Sequence, residues 1–183
     1  MSILILYVIG FICIGISLYL APRDITHGED IYAKHINETL RKRNKTLSVA
    51  ESCTGGGVAA RLTSIPHSSE YFQGGLVAYQ NDVKVNELGV SPETIKQYDV
   101  VSKEVVEEMV KGCLNLFNTD YAICTTGYAD KSQNESIPDG TIWVGYGSKD
   151  NIRSFCITKN GGRGKNINNA ITRALMCFSQ MLA

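Results

Sequence analysis

The run Leu47-Ser48-Val49-Ala50 stops at Glu51-Ser52-Cys53-Thr54-Gly55-Gly56-Gly57, and a second apolar stretch begins at once. A short apolar segment that ends in a Ser/Thr/Gly turn and opens a helix is a strand–turn–helix unit. It constrains the chain to layer a helix against a sheet. The helix start leaves unpaired N–H groups and a positive dipole end directed at whatever occupies the turn. Gly55 and Gly56 let a ligand approach that backbone closely. Downstream, Val77-Ala78-Tyr79-Gln80-Asn81-Asp82-Val83-Lys84 offers a phenol and an amine on a short polar stretch. Brought together, Ser52, Tyr79 and Lys84 are the parts of acyl-transfer chemistry without histidine.

The flanking pattern extends the unit into a domain. Glu29 to Arg43 is loosely helical through Ile31, Ile36 and Leu40, with basic residues crowding its end. Thr46–Ala50 reads as a strand and Thr54–Ser64 as a helix that ends before Pro66. Tyr71–Tyr79, rich in aromatic and β-branched residues, reads as a strand with Gly74-Gly75 as a bulge. Helices follow over Asn81–Leu88, capped by Gly89, from Ser91-Pro92, and from Ser102 along the stripe Val105, Val106, Met109, Val110, Cys113, Leu114, Phe117. Tyr121–Thr126 is a buried strand, Gly140–Tyr146 and Ile152–Thr158 form a hairpin, and a last helix follows Gly161-Gly162-Arg163-Gly164-Lys165. This order predicts an α/β fold, a three-layer sandwich with a mixed β-sheet covered by helices.

The first residues stand apart. Ile3 to Ala21 carries no charge, and Pro22-Arg23 ends the run. About 19 residues at 1.5 Å rise span roughly 28 Å, close to the ~30 Å hydrocarbon thickness. Residues 1–22 are therefore expected to be an apolar transmembrane helix, with 23–29 a linker and 30–183 the folded domain. A cleaved signal and a core helix are the competing readings. Basic residues follow the segment and none precede it, so a single-pass anchor would leave the domain on the cytosolic side.

Formal net charge is zero, which argues against a nucleic-acid partner. The six cysteines share no CxxC spacing and read as reduced, mostly buried thiols. The three histidines His27, His35 and His67 give poor support to metal catalysis or a histidine triad. No metal or other cofactor is expected.

Glu51-Ser52-Cys53-Thr54-Gly55-Gly56 resembles the signature of the CinA C-terminal domain family, the nicotinamide-nucleotide amidases. The resemblance continues through Ser68-Ser69, Phe72, Gly74-Gly75, Tyr79-Gln80-Asn81, Lys84, Leu88-Gly89-Val90, Val101-Ser102 and Gly140-Thr141-Ile142-Trp143. It covers residues 30 to 183 and has no counterpart for the apolar N-terminus. It implies hydrolysis of the carboxamide of nicotinamide mononucleotide, giving nicotinic acid mononucleotide and ammonia. By that resemblance Ser52 is the nucleophile, activated by Tyr79 and Lys84, with the tyrosine between the other two. The N–H groups of Thr54–Gly56 would hold the oxyanion. Glu51, Thr54, Gly55, Gly56, Asn81, Thr126, Gly127 and Arg163 would meet the substrate, with Arg163 on its phosphate. The resemblance also implies a homo-oligomer, a dimer or larger.

Each position has a plainer reading: Ser52 as a helix cap, Tyr79 as a half-buried sheet residue, Lys84 and Arg163 as solvated cations. Cys53 is a conceivable nucleophile that the resemblance makes a packing residue. The chain also departs from the family. Where members carry Ser-Gly-Ile-Ala-Gly-Pro, this chain has Thr126-Gly127-Tyr128-Ala129-Asp130-Lys131, and the glycine-rich loop after it has become Ser132-Gln133-Asn134-Glu135-Ser136. Beyond Arg163, Ile167, Asn168 and Asn169 replace basic residues. These changes fall in the expected substrate-facing loops. A non-catalytic nucleotide-binding or interaction module of the same fold is the alternative, and the same chemistry on another small amide a third. A short-chain dehydrogenase is discarded, because four residues rather than three separate Tyr79 from Lys84.

Overall fold

Five strands and six α-helices build the described part of the chain, which in the computed structural model comprises residues 30–158 and 160–183. The segment 1–22 and the linker 23–29 lie outside it. Among the described residues no helix is long and apolar enough to cross a membrane. In chain order the elements are α1 (Ile31–Lys42), β1 (Leu47–Glu51), α2 (Gly57–Thr63), a 3₁₀ turn (Ser68–Glu70), β2 (Phe72–Val77), α3 (Asn81–Leu88), α4 (Pro92–Tyr98), α5 (Lys103–Phe117), β3 (Tyr121–Gly127), β4 (Thr141–Ser148), β5 (Asn151–Thr158) and α6 (Arg163–Leu182).

The sheet order is β2-β1-β3-β4-β5. β1 lies parallel to both β2 and β3, whereas β3–β4 and β4–β5 are antiparallel. The sheet is therefore mixed, as the sequence predicts. Its two faces follow from the period-2 alternation of strands. Leu47 and Val49 of β1, Ile123 of β3 and Ile142 and Val144 of β4 join the core beneath α1, α2 and α6. Ala50, Ala122 and Cys124 join the second core beneath α3 and α5. The stripe expected for α5 is buried from Val105 to Leu114, with Phe117 half-buried at its edge.

Local signals set the helix ends. Asp30 caps α1 by accepting from the N–H groups of Tyr32 (3.2 Å) and Ala33 (3.1 Å). Ser91 and Ser102 cap α4 and α5, Pro92 is the first residue of α4, and Gly89 ends α3 in the left-handed conformation. Two expectations are corrected. Ile31 is 66% exposed rather than a core position of α1. The helix expected from Thr54 begins at Gly57, because Gly55 and Gly56 adopt φ of 60° and 95° and carry a separate turn.

β1 and β3 are neighbours, but the chain leaves β1 for β2 on one side and returns to β3 on the other. A crevice forms beyond the carboxyl ends of strands at such a switch point. The turn after β1 and the loop after β3 both open into it.

Candidate active site

A cavity of about 470 Å³ occupies that crevice, within the range that takes a small ligand. Ser52 and Cys53 enter from β1, Tyr79 to Lys84 from the β2–α3 junction, Thr126 to Lys131 from the end of β3, and Arg163 from the start of α6. Asp99, Val100 and Val101 line it from the α4–α5 connection.

Ser52 is held by its own backbone, whose N–H donates to the Thr125 carbonyl at 3.0 Å and so prolongs the β1–β3 pairing. Lys84, on the first turn of α3, reaches back beneath it. Its Nζ donates to Ser52 Oγ at 3.3 Å, to the Ala78 carbonyl at 2.8 Å and to the Tyr79 carbonyl at 3.3 Å. Lys84 is only 1% exposed. No carboxylate pairs with it among the described residues. Burial therefore lowers its pKa to about 8, partly opposed by the neighbouring Cys53. The three acceptors match the three protons of an ammonium. Once neutral, the amine can serve both carbonyls with its two remaining N–H groups and turn its lone pair to the Ser52 hydroxyl.

Tyr79 does not stand between Ser52 and Lys84. Its backbone carbonyl meets the lysine, while its phenol accepts from Arg163 Nη2 at 3.2 Å and is half exposed. The expected arrangement of serine, phenol and amine is thus replaced by a direct serine–amine contact, with the phenol joined to the arginine further along the cavity.

The turn itself differs more. Glu51, expected to meet substrate, is 1% exposed and lies under the turn. Its carboxylate accepts from the Thr54 hydroxyl (2.6 Å) and from the N–H groups of Gly56 (3.1 Å), Val58 (3.0 Å) and Ala59 (2.8 Å). Thr54 points inward as well, bonded to Glu51 and to Thr125 Oγ1 at 2.7 Å. The Gly55 N–H donates to the Ser52 carbonyl at 3.1 Å. Glu51, Thr54, Gly55 and Gly56 therefore shape the turn and do not line the cavity. The helix start that was expected to bind a ligand anion is already filled by the chain's own carboxylate. Among the described residues, the amides of this turn left without an acceptor are those of Cys53 and Thr54.

Asn81, Thr126, Gly127 and Arg163 do line the cavity. The Thr126 hydroxyl is engaged, donating to the Val100 carbonyl at 2.9 Å. Cys53 is 5% exposed, and burial pushes its thiol up to about 12, so it stays a protonated packing group beside the serine. Neither His35, bonded to Ser179 and Thr39, nor His67, beside Glu70, lines the cavity. Tyr128 lies in a loop that the sequence marks as substrate-facing, whereas nothing in the sequence singles out Asp99. An aspartate between two helices has the pattern of an ordinary turn residue, and only the folded chain turns it to the cavity.

The CinA C-terminal domain model matches residues 29–182. A CinA-like protein of Synechocystis is 42% identical over 136 residues, covering 74% of this chain and 33% of that protein. The chain thus spans about a third of the length of the curated relatives it matches. Among solved structures, a CinA superfamily protein of Klebsiella pneumoniae superposes with a TM-score of 0.80 at 29% identity, covering 85% of this chain and 98% of that one. A competence damage-inducible protein A from the same species gives a TM-score of 0.80 at 30% identity, covering 84% and 96%. The chain belongs to the CinA C-terminal domain family.

Proposed function

We propose that this chain is a metal-independent amidohydrolase that cleaves the carboxamide of nicotinamide mononucleotide to nicotinic acid mononucleotide and ammonia. The observation that carries the reading is the buried Lys84 amine 3.3 Å from the Ser52 hydroxyl at the wall of a ligand-sized cavity. A serine hydroxyl needs a base to attack an amide at neutral pH. An amine whose pKa is lowered to about 8 is uncharged in an appreciable fraction of molecules at that pH.

Neutral Lys84 takes the Ser52 proton as Oγ adds to the carboxamide carbon. The amide of Cys53, the residue of the turn that lines the cavity beside Ser52, receives the oxyanion, an interaction worth about 3 kcal/mol. The Lys84 ammonium returns its proton to the departing nitrogen, and ammonia leaves an ester on Ser52. Water then attacks that ester with Lys84 again as base, which releases the acid and restores the serine. Arg163, at the first turn of α6, suits the substrate phosphate. Its bond to the Tyr79 phenol fixes the guanidinium at the cavity rim.

The test is ammonia release from nicotinamide mononucleotide by the full chain. Wild type should turn over, and Ser52→Ala should lose at least about a thousandfold in kcat. Binding without turnover in both proteins would overturn the amidase reading and leave a nucleotide-binding module.

A further inference from the structure

Asp99 stands in the cavity wall in a conformation that non-glycine residues seldom adopt, with φ 70° and ψ 155°. Three neutral donors hold its carboxylate. The Val101 N–H lies 2.9 Å from Oδ1, the Tyr128 hydroxyl 3.2 Å from Oδ1 and 3.4 Å from Oδ2, and Asn134 Nδ2 3.0 Å from Oδ2. Among the described residues no lysine, arginine or histidine pairs with it. Tyr128 and Asn134 both come from the stretch in which this chain leaves the family pattern. Two of the departures therefore converge on one carboxylate, whose orientation they fix and which forms no ion pair among the described residues, although Asp130 and Lys131 line the same cavity. Val100, its chain neighbour, is tied by its carbonyl to Thr126 at 2.9 Å. Thr126 follows Thr125, whose carbonyl holds the Ser52 backbone at 3.0 Å. The carboxylate is thus braced against the same strand end as the nucleophile.

An anion oriented by neutral groups in a cavity wall favours a cationic ligand group over a neutral one of the same shape. We propose that Asp99 is a specificity-determining residue that selects a positively charged pyridinium ring, with Tyr128 and Asn134 as the residues that position it. This rests on the amidase reading, because a nicotinamide ring bonded through nitrogen to ribose carries such a charge beside the scissile carboxamide. A loop latch alone would give Asp99 the same protein contacts, but it would not distinguish ligands by charge.

The experiment is calorimetric titration of full-chain Ser52→Ala with nicotinamide mononucleotide and with its dihydro form, which keeps ribose, phosphate and amide but has a neutral ring. The Ser52→Ala protein should bind the oxidised ligand about five- to tenfold more tightly, the size of one partly solvated charge contact. Adding Asp99→Asn should erase that preference and leave dihydro binding within about twofold. Adding Tyr128→Phe instead should shrink the preference without erasing it, because the carboxylate remains but loses one of the donors that orient it. A preference that survives Asp99→Asn, equal weakening of both ligands, or no binding of either overturns the proposal. Ammonia release by wild type alongside a flat preference would sink the role of Asp99 alone, whereas absent ammonia release strikes the amidase reading itself.

Discussion

Lys84 is where burial and chemistry meet in one side chain. Its ammonium has three acceptors, yet it lies 1% exposed without a paired carboxylate, so the protein disfavours the charge without orphaning its protons. Both activity and stability then depend on pH with a defined sign. The neutral amine is the base, so kcat/KM should climb as pH rises and level off above about 8. Lys84→Met should remove this rise along with at least about a thousandfold of the rate. For stability, the folded pKa of about 8 lies below the ordinary lysine value of 10.5, so the unfolded chain binds the extra proton between them. Stability from this group therefore increases with pH across that window, by about 2 kcal/mol between pH 8 and 10. Urea unfolding at both pH values, wild type against Lys84→Met, isolates the contribution as a difference. A wild-type gain no larger than that of Lys84→Met would remove the buried, easily deprotonated amine from the account. The residue types were legible in the sequence, but the direct serine–amine contact was not. Spacing puts Tyr79 and Lys84 on one short segment, whereas which of them faces Ser52 depends on how α3 packs under the turn.

At the scale of elements, the β1–α2 connection couples folding to the site. Glu51 ends β1 on the same face as Leu47 and Val49, which aims its carboxylate at the start of α2 instead of at the cavity. Four donors converge on it, three of them amides. Period-2 alternation sets residue 51 on the inner face. The strand read from the sequence stops at Ala50 and leaves Glu51 in the turn, where the resemblance implies a substrate contact; in the fold β1 runs one residue further and turns the carboxylate inward. Strand and helix identities elsewhere were readable: Ser91-Pro92, Ser102 and Gly89 are local signals whose effects stay local. The start of α2 is not set by a local signal, because a carboxylate six residues upstream of Gly57 takes the amides that a local cap would. Glu51→Gln puts an amide NH₂ where an acceptor is required. It should cost about 3 kcal/mol, with a lower urea midpoint and an unchanged slope. A loss below about 1 kcal/mol would show that the turn does not depend on the carboxylate.

Across the whole molecule, the switch from β2 to β3 around β1 gathers residues from both ends of the domain. Tyr79 and Arg163 are 84 positions apart in the chain and 3.2 Å apart in space. No periodicity encodes that pairing, because it depends on strand order and on α6 crossing the opposite sheet face to bring its first turn to the cavity. The Arg163 side chain is therefore a long-range piece of the site, and its part in the reaction separates from the part of Lys84. A phosphate bound by Arg163 would contribute through its own charge without altering the serine–amine pair. Arg163→Ala should raise KM for nicotinamide mononucleotide about tenfold or more and leave kcat within a few fold. With nicotinamide riboside, which lacks the phosphate, wild type and variant should give the same kcat/KM. The comparison is a double-mutant cycle in which one of the two changes is made on the ligand. An equal loss on both substrates would mean that Arg163 acts by holding Tyr79 and the cavity rim rather than by meeting the phosphate.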